Sequence, residues 1–201
     1  MSQERLKKDT RPEHDRIEEL MFVGSIMNGT LSVDQYKTLL RTNYLVHEAF
    51  ESLLFNRLSE QTAEELQIIR RAKLPALMED LREMDMDCPQ DVAAAGVGGG
   101  AAIPAAAIFD DEAAALGAMY VLEGASLGGH VIVKKLASNP VLNSLGLNFN
   151  YYRIYGDDLI PNWKSFCAVL NRQSETDYPL ILNGARSMFG YIAAVQSPSL
   201  Q

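Results

Sequence analysis

The chain is short of several features that usually announce a function. It has only two cysteines, Cys88 and Cys167, and neither has a second cysteine or a histidine at metal-ligand spacing. That removes a disulfide framework and a zinc site from consideration and leaves two inert thiols. No apolar run approaches the roughly 20 residues of a membrane span before Glu, Gly or Lys interrupts it, and residues 2–11 are polar rather than signal-like. The expectation is a soluble, cytoplasmic protein that does not engage a membrane. Positive charge is also scarce: the net charge of -8 lacks the basic field that nucleic acid requires, although a local cationic cluster can still hold a small acidic ligand. No alternating strand pattern occurs, Asn28-Gly29 joins two helical patterns rather than two strands, and no internal repeat is found.

What is present fits one helical domain. The 201 residues are 47% hydrophobic and 22% charged, enough for one filled core and short of two ordinary domains. Thr10, Ser32 and Thr62 are each followed three residues later by Glu13, Gln35 and Glu65, the spacing of capping boxes at helix starts. Pro12 suits a first helical turn, where its missing amide hydrogen costs nothing. These signals predict helices at 11–28, 33–58 and 63–86. Gly98, Gly99, Gly100 and Pro104 make the Ala/Gly-rich stretch 93–107 a flexible loop. A fourth helix at 111–137 has Asp110 and Asp111 at its positive end, Lys134 and Lys135 at its negative end, and Asn139-Pro140 as its stop. Residues 148–156 are aromatic and irregular, and further helices are expected at 158–172 and 176–196.

On the first helix, His14, Ile17, Met21, Gly24 and Met27 recur at helical spacing and form an apolar stripe, so that His14 is expected to face inward. Such a histidine is either a hydrogen-bonded core residue or a ligand. Lys7 and Arg11, seven and three residues earlier, form either a solvated basic end or a grip for carboxylates beside a bound ring. The second helix repeats the pattern with Tyr36, Leu40, Asn43, His47, Phe50 and Leu54, which turns His47 inward as a buried polar pair with Asn43 or as a holder of water or a proton.

The fourth helix carries Gly117, Gly124, Gly128 and Gly129 in its interior, although each glycine costs about 1 kcal/mol there relative to alanine. Ala114, Gly117, Val121, Gly124 and Gly128 follow at three- or four-residue steps and give a groove poor in side chains. Either a flat ligand or a second helix fits it. Gly128-Gly129 in succession should bend the helix and open its hydrogen-bond ladder. Glu123, Ser126 and His130 add polar groups nearby.

Three segments, Thr10-Arg11-Pro12-Glu13-His14, Asn28-Gly29-Thr30-Leu31-Ser32 and the run from Tyr120 through Leu127-Gly128-Gly129, together resemble the heme oxygenase family, in particular its bacterial biliverdin-forming members. The resemblance runs over residues 6–192. It implies an all-α bundle in which heme, both substrate and cofactor, lies between the first helix and the Gly-kinked distal helix. His14 would be the proximal ligand to the iron, with Glu18 one turn further on, while Lys7 and Arg11 match positions that contact heme propionates. Lys164, after Trp163, matches another basic contact; an arginine found one turn later in some members is Ala168 here. Phe189 and Gly129 complete the expected cofactor-binding set, and Gly124, Ser126, Gly128 and His47 the expected catalytic set.

The reaction so implied converts heme to biliverdin, carbon monoxide and ferrous iron with dioxygen and electrons from a reductase or ferredoxin. A phytochrome that accepts the bilin is a further implied partner. A neutral imidazole suits this chemistry because it lacks the thiolate push that favours O–O cleavage. The chain departs from the family in two places: many members have an aspartate where Ala125 stands, and a distal tyrosine position is His47. Ser126, backbone groups near Gly124 and His47 are then expected to hold the distal water. The same departures leave open a heme-binding sensor or carrier without turnover. A di-iron bundle is disfavoured, since none of His14, His47 or His130 has a Glu three residues before it.

Overall fold

The computed structural model describes residues 3–89 and 109–196, so the expected loop at 93–107 lies outside the described residues. Every regular element among the described residues is helical, as the missing strand signals predict. The order is α1 (Gln3–Asp9), α2 (Arg11–Leu20), α3 (Val23–Met27), α4 (Val33–Phe55), α5 (Glu60–Glu65), a 3₁₀ turn (Ile68–Arg71) and α6 (Leu74–Glu83). After the undescribed stretch come α7 (Glu112–Leu127), α8 (Gly129–Ser138), α9 (Pro140–Asn143), 3₁₀ turns at Tyr151–Arg153 and Gly156–Asp158, α10 (Leu159–Arg172) and α11 (Tyr178–Gln196).

Of the three expected capping boxes only that of Ser32 forms: its hydroxyl accepts Gln35 N–H at 3.1 Å, and its own N–H donates to Gln35 Oε1 at 2.9 Å. Thr10 instead donates its hydroxyl to the Leu6 carbonyl at 2.8 Å, because a helix already precedes it. That helix, α1, is anchored by the fully buried Leu6. Ser59, not Thr62, caps α5, its hydroxyl accepting Thr62 N–H at 3.3 Å.

The single helices expected at 11–28 and 63–86 are each broken. Phe22 takes a left-handed φ of 54° between α2 and α3, and Gln67 one of 49° after α5. The second break follows from burial of charge. Arg71 and Lys73 turn into the interior, and Arg71 Nε donates to the Leu66 carbonyl at 2.8 Å, at the residue where α5 stops.

The fourth expected helix breaks at Gly128 and bends by 42°, as the tandem glycines predict. Asp111 caps its start by accepting Ala114 N–H at 2.7 Å. The side-chain-poor groove has two different fates. Gly117 meets α11 backbone to backbone: a Cβ there would lie 1.9 Å from the Ile181 carbonyl oxygen, and one on Gly184 would lie 2.1 Å from that of Ala114. Of the two occupants the groove could take, a second helix therefore fills its first half. The α7–α11 pair anchors the larger apolar core with Phe50, Phe166 and Met188, while a second core gathers Tyr36, Leu77, Leu81 and Phe149 beneath α4 and α6. Among the described residues no single helix is long and apolar enough to cross a membrane.

Candidate functional site

A cavity of about 470 Å³ opens between α2 and the second half of α7. On the α2 side, Arg11, His14, Ile17, Glu18 and Met21 line it in helical register, and Lys7 reaches it from α1. His14 is not buried as the inward stripe predicted: its side chain is 54% exposed, because the face it occupies looks onto this cavity rather than into the packed core. Its Nδ1 lies 3.7 Å from Asp15 Oδ1 and 3.9 Å from Glu18 Oε1, and its ring meets the edge of Phe189 at a centroid distance of 6.3 Å. With Nδ1 turned towards carboxylates, Nε2 is the nitrogen left to bind a metal. Arg11 Nε donates to Asp15 Oδ1 at 2.6 Å. Lys7 forms no ion pair among the described residues.

On the α7 side, Gly124 and Gly128 belong to the wall. A Cβ on Gly124 would meet nothing nearer than the Trp163 ring at 3.9 Å, so no packed neighbour requires glycine there. Gly129 differs. It is buried outside the lining, where a Cβ would stand 2.7 Å from the Tyr152 carbonyl oxygen, so it serves the close approach of the 151–153 turn to α8. Tyr151 and Tyr152 of that turn do line the cavity. The turn is held by Asp80, which accepts Asn150 N–H at 2.7 Å, Asn150 Nδ2–H at 2.9 Å and Tyr151 N–H at 2.9 Å.

Other expected site residues stand apart from the cavity. Ser126 is half-buried off the lining, Lys164 is exposed while its neighbour Trp163 takes the place on the wall, and His47 is buried behind Asn43 and Val46. The structure therefore brings together His14, Lys7, Arg11, Glu18, Gly124, Gly128 and Phe189, and leaves out Ser126, His47, Gly129 and Lys164.

Behind α7 lies a charged cluster that the sequence pattern did not reveal. Glu123 accepts from Arg71 Nη1 at 2.6 Å, Lys73 Nζ at 2.5 Å and the Tyr155 hydroxyl at 2.8 Å. Arg71 also donates to Ser165 Oγ at 2.8 Å and the Asn162 carbonyl at 3.0 Å, which ties α10 to the same knot. Burial pushes the Glu123 carboxyl upward, but the two cations outweigh it and hold it below the usual range. Burial raises the Tyr151 and Tyr155 hydroxyls, which stay protonated donors. The Arg71-to-Lys73 run carried no spacing signal, since its partner lies fifty residues away on another helix.

The site thus combines an apolar slot, a half-exposed imidazole, two cations at one side and a helix wall where Gly124 and Gly128 leave gaps beside Val121, Ala125 and Leu127. Such a slot accepts a flat apolar ring system bearing carboxylates. The family model for heme oxygenase matches residues 2–196 of this chain. A heme oxygenase of Xanthomonas campestris pv. campestris (strain 8004) is 32% identical over 165 residues, which is 81% of this chain and 89% of that protein. The fold is similar to a crystal structure of the NO- and CO-bound heme oxygenase from Neisseria meningitidis, with a TM-score of 0.69 at 19% identity over 96% of this chain and 88% of that one.

Proposed function

The chain belongs to the heme oxygenase family, and on that premise we propose that it binds heme in the cavity between α2 and α7, with His14 on the iron, and cleaves it to biliverdin, carbon monoxide and ferrous iron. The observation that carries this reading is the placing of His14, half-exposed on one wall, in one cavity with Gly124 and Gly128. The residues fit the group. Ile17, Met21 and Phe189 offer apolar surface to a macrocycle, Lys7 and Arg11 offer cations to its propionates, and the glycines let a planar ring approach the helix backbone. Bound heme supplies the iron that takes dioxygen and is itself the skeleton oxidised.

The remaining roles belong to the chain. Glu18 and Asp15, 3.9 and 3.7 Å from Nδ1 of His14, place negative charge on that side of the ring and so favour Nε2 as the nitrogen left for metal. Arg11 must exchange Asp15 for a propionate, whereas Lys7 has no ion pair among the described residues to give up. The apolar lining limits bulk water, and backbone carbonyls near Gly124 in the last turn of α7 are the groups on that wall that can accept from a water, the Ser126 carbonyl being taken by Gly128 N–H. That backbone takes the water-holding duty expected of Ser126, which does not reach the cavity. Electrons come from an external reductase or ferredoxin, and the net charge of -8 suits a donor with a basic docking face.

Hemin titration of the protein and of His14→Ala, followed by a reductant under air, tests this. The expected result is a sharp Soret band that needs His14 and then decays into red bilin absorption. A stable band would leave heme binding without turnover, and absence of a specific band would overturn the reading.

A further inference from the structure

Both walls of the cavity are fixed to one helix, α11. Ile181, Gly184 and Ala185 set it backbone to backbone against Ala114 and Gly117 of α7. Further along, Arg186, Phe189 and Gln196 follow at steps of three and seven residues, which puts them on one side of α11. That side meets α2. The middle of the seam is apolar, with the Phe189 ring against that of His14, and its two ends are polar. At the start of α2, Arg186 Nε lies 2.9 Å from Glu13 Oε1, and Arg186 Nη2 donates to the Asp9 carbonyl at 3.0 Å. At the far end, Gln196 Nε2 donates to the Leu20 carbonyl at 2.9 Å, while its Oε1 accepts from the Thr42 hydroxyl of α4. A helix leaves its last carbonyls without intrahelical donors. Here Met21 N–H and Phe22 N–H serve the Ile17 and Glu19 carbonyls, and the buried Gln196 amide serves that of Leu20. A carbonyl only accepts, so the nitrogen of the Gln196 amide is the end that faces Leu20.

We propose that Gln196 and Arg186 are positioning residues that fix how far the His14 wall stands from the glycine wall, and with it how long a bound tetrapyrrole is retained. This rests on the heme reading of the cavity. His14 lies between the two tied points, just after Glu13 and before Leu20, so a shift of α2 is a shift of the iron ligand. Because α11 is also set against α7, the ties define the width of the slot and not the place of α2 alone. Gln196 is the stronger tie. It is 8% exposed, and its amide is engaged at both ends, by α2 and by α4. Glutamine supplies the donor and the acceptor on one uncharged group, which a buried position requires. The Arg186–Glu13 pair, with side chains 50% and 30% exposed, is screened by water and weaker for it.

The test uses two readings on the wild type, Gln196→Leu, Gln196→Glu and Arg186→Met. The first is trypsin cleavage of the hemin-free protein after Arg16, an exposed site on α2, against cleavage after Lys135 on α8 as the reference. Cleavage within a helix follows the population in which that helix has opened. The second is the rate at which hemin passes from the loaded protein to excess apomyoglobin, together with the iron–His14 stretching band of the reduced complex. Gln196→Leu should raise Arg16 cleavage and hemin loss about tenfold each, leave Lys135 cleavage unchanged and shift the iron–His14 band. Arg186→Met should raise both rates about threefold. At about pH 8 the ionised carboxylate of Gln196→Glu still accepts from Thr42 but cannot donate to Leu20, so this variant should be at least as loose as Gln196→Leu. Wild-type rates in Gln196→Leu overturn the proposal, as do wild-type rates in Gln196→Glu or an equal rise at Arg16 and Lys135, which would mean general loosening. If Gln196→Leu fails to fold, Arg186→Met and Gln196→Glu decide by the same readings. The heme reading fails separately, on the absence of a Soret band in the wild type, and the cleavage rates of the hemin-free protein still decide the ties.

Discussion

The two halves of α7 contain the same unusual residue for opposite reasons. Around Gly117 the side chain is missing because another helix occupies its place, with Ile181 and Ala185 of α11 against the backbone. Around Gly124 it is missing although nothing packed stands there, and the open space is the cavity. Glycine in a helix interior is thus a constraint of packing in the first half and a provision for ligand in the second. The open half is supported from behind, where Glu123, one residue before Gly124, is locked by Arg71 and Lys73.

The largest effect is expected from removing that support. Glu123→Ala leaves two buried cations without their shared anion and should cost about 3–5 kcal/mol in urea unfolding; a loss below 1 kcal/mol would show that the cluster is not the prop of the open half. Next comes the closed half. Gly117→Ala forces the backbones of α7 and α11 apart and should destabilise by about 3 kcal/mol, read as a lower denaturation midpoint, and Gly184→Ala should do likewise.

A smaller effect follows from pH. Burial holds the folded pKa of His47 below the ordinary histidine value of about 6.5, so between the two the unfolded chain binds the extra proton and stability falls as pH drops. The loss should approach about 1.4 kcal/mol per pH unit below 6.5 and vanish in His47→Gln. Glu123, held down by Lys73 and Arg71, adds a second loss that begins only near the ordinary carboxylate range of about 4.5 and deepens as pH falls further. Thermal melts across pH 4 to 7.5 separate the two. The smallest change in stability should come from Gly124→Ala, where a methyl group meets open space: the fold should gain about 1 kcal/mol in helix propensity, while hemin binding weakens about tenfold. A Gly124→Ala protein that binds hemin like the wild type would erase the distinction between the halves.

The parts of the fold that the sequence discloses are those whose causes are local. Ser32 and Gln35 cap each other within one turn, and Gly128-Gly129 bends the chain where it stands. Helical spacing groups His14, Lys7 and Arg11 on one stretch of chain, whereas Phe189, on α11, is expected beside them only from the family resemblance. The breaks between α5 and α6 were not, since they answer to a carboxylate on α7, and the cavity wall at Tyr151 depends on Asp80 seventy residues earlier. Lys164 illustrates the limit on a single helix: α10 presents Trp163 to the cavity instead, and the rotation of a helix about its axis is fixed by its packing partners.

The wall that carries His14 differs from the rest of the bundle in one further respect: α2 contains no fully buried residue, and a left-handed Phe22 separates it from α3. Local opening free energy tracks buried apolar contact, so the amides of α2 should exchange with deuterium well before those of α7, whose residues 114–123 are all buried. The cavity wall that opens at least cost to the core is therefore α2, which with its C-terminal cap lends it only the partly buried Ile17 and Met21.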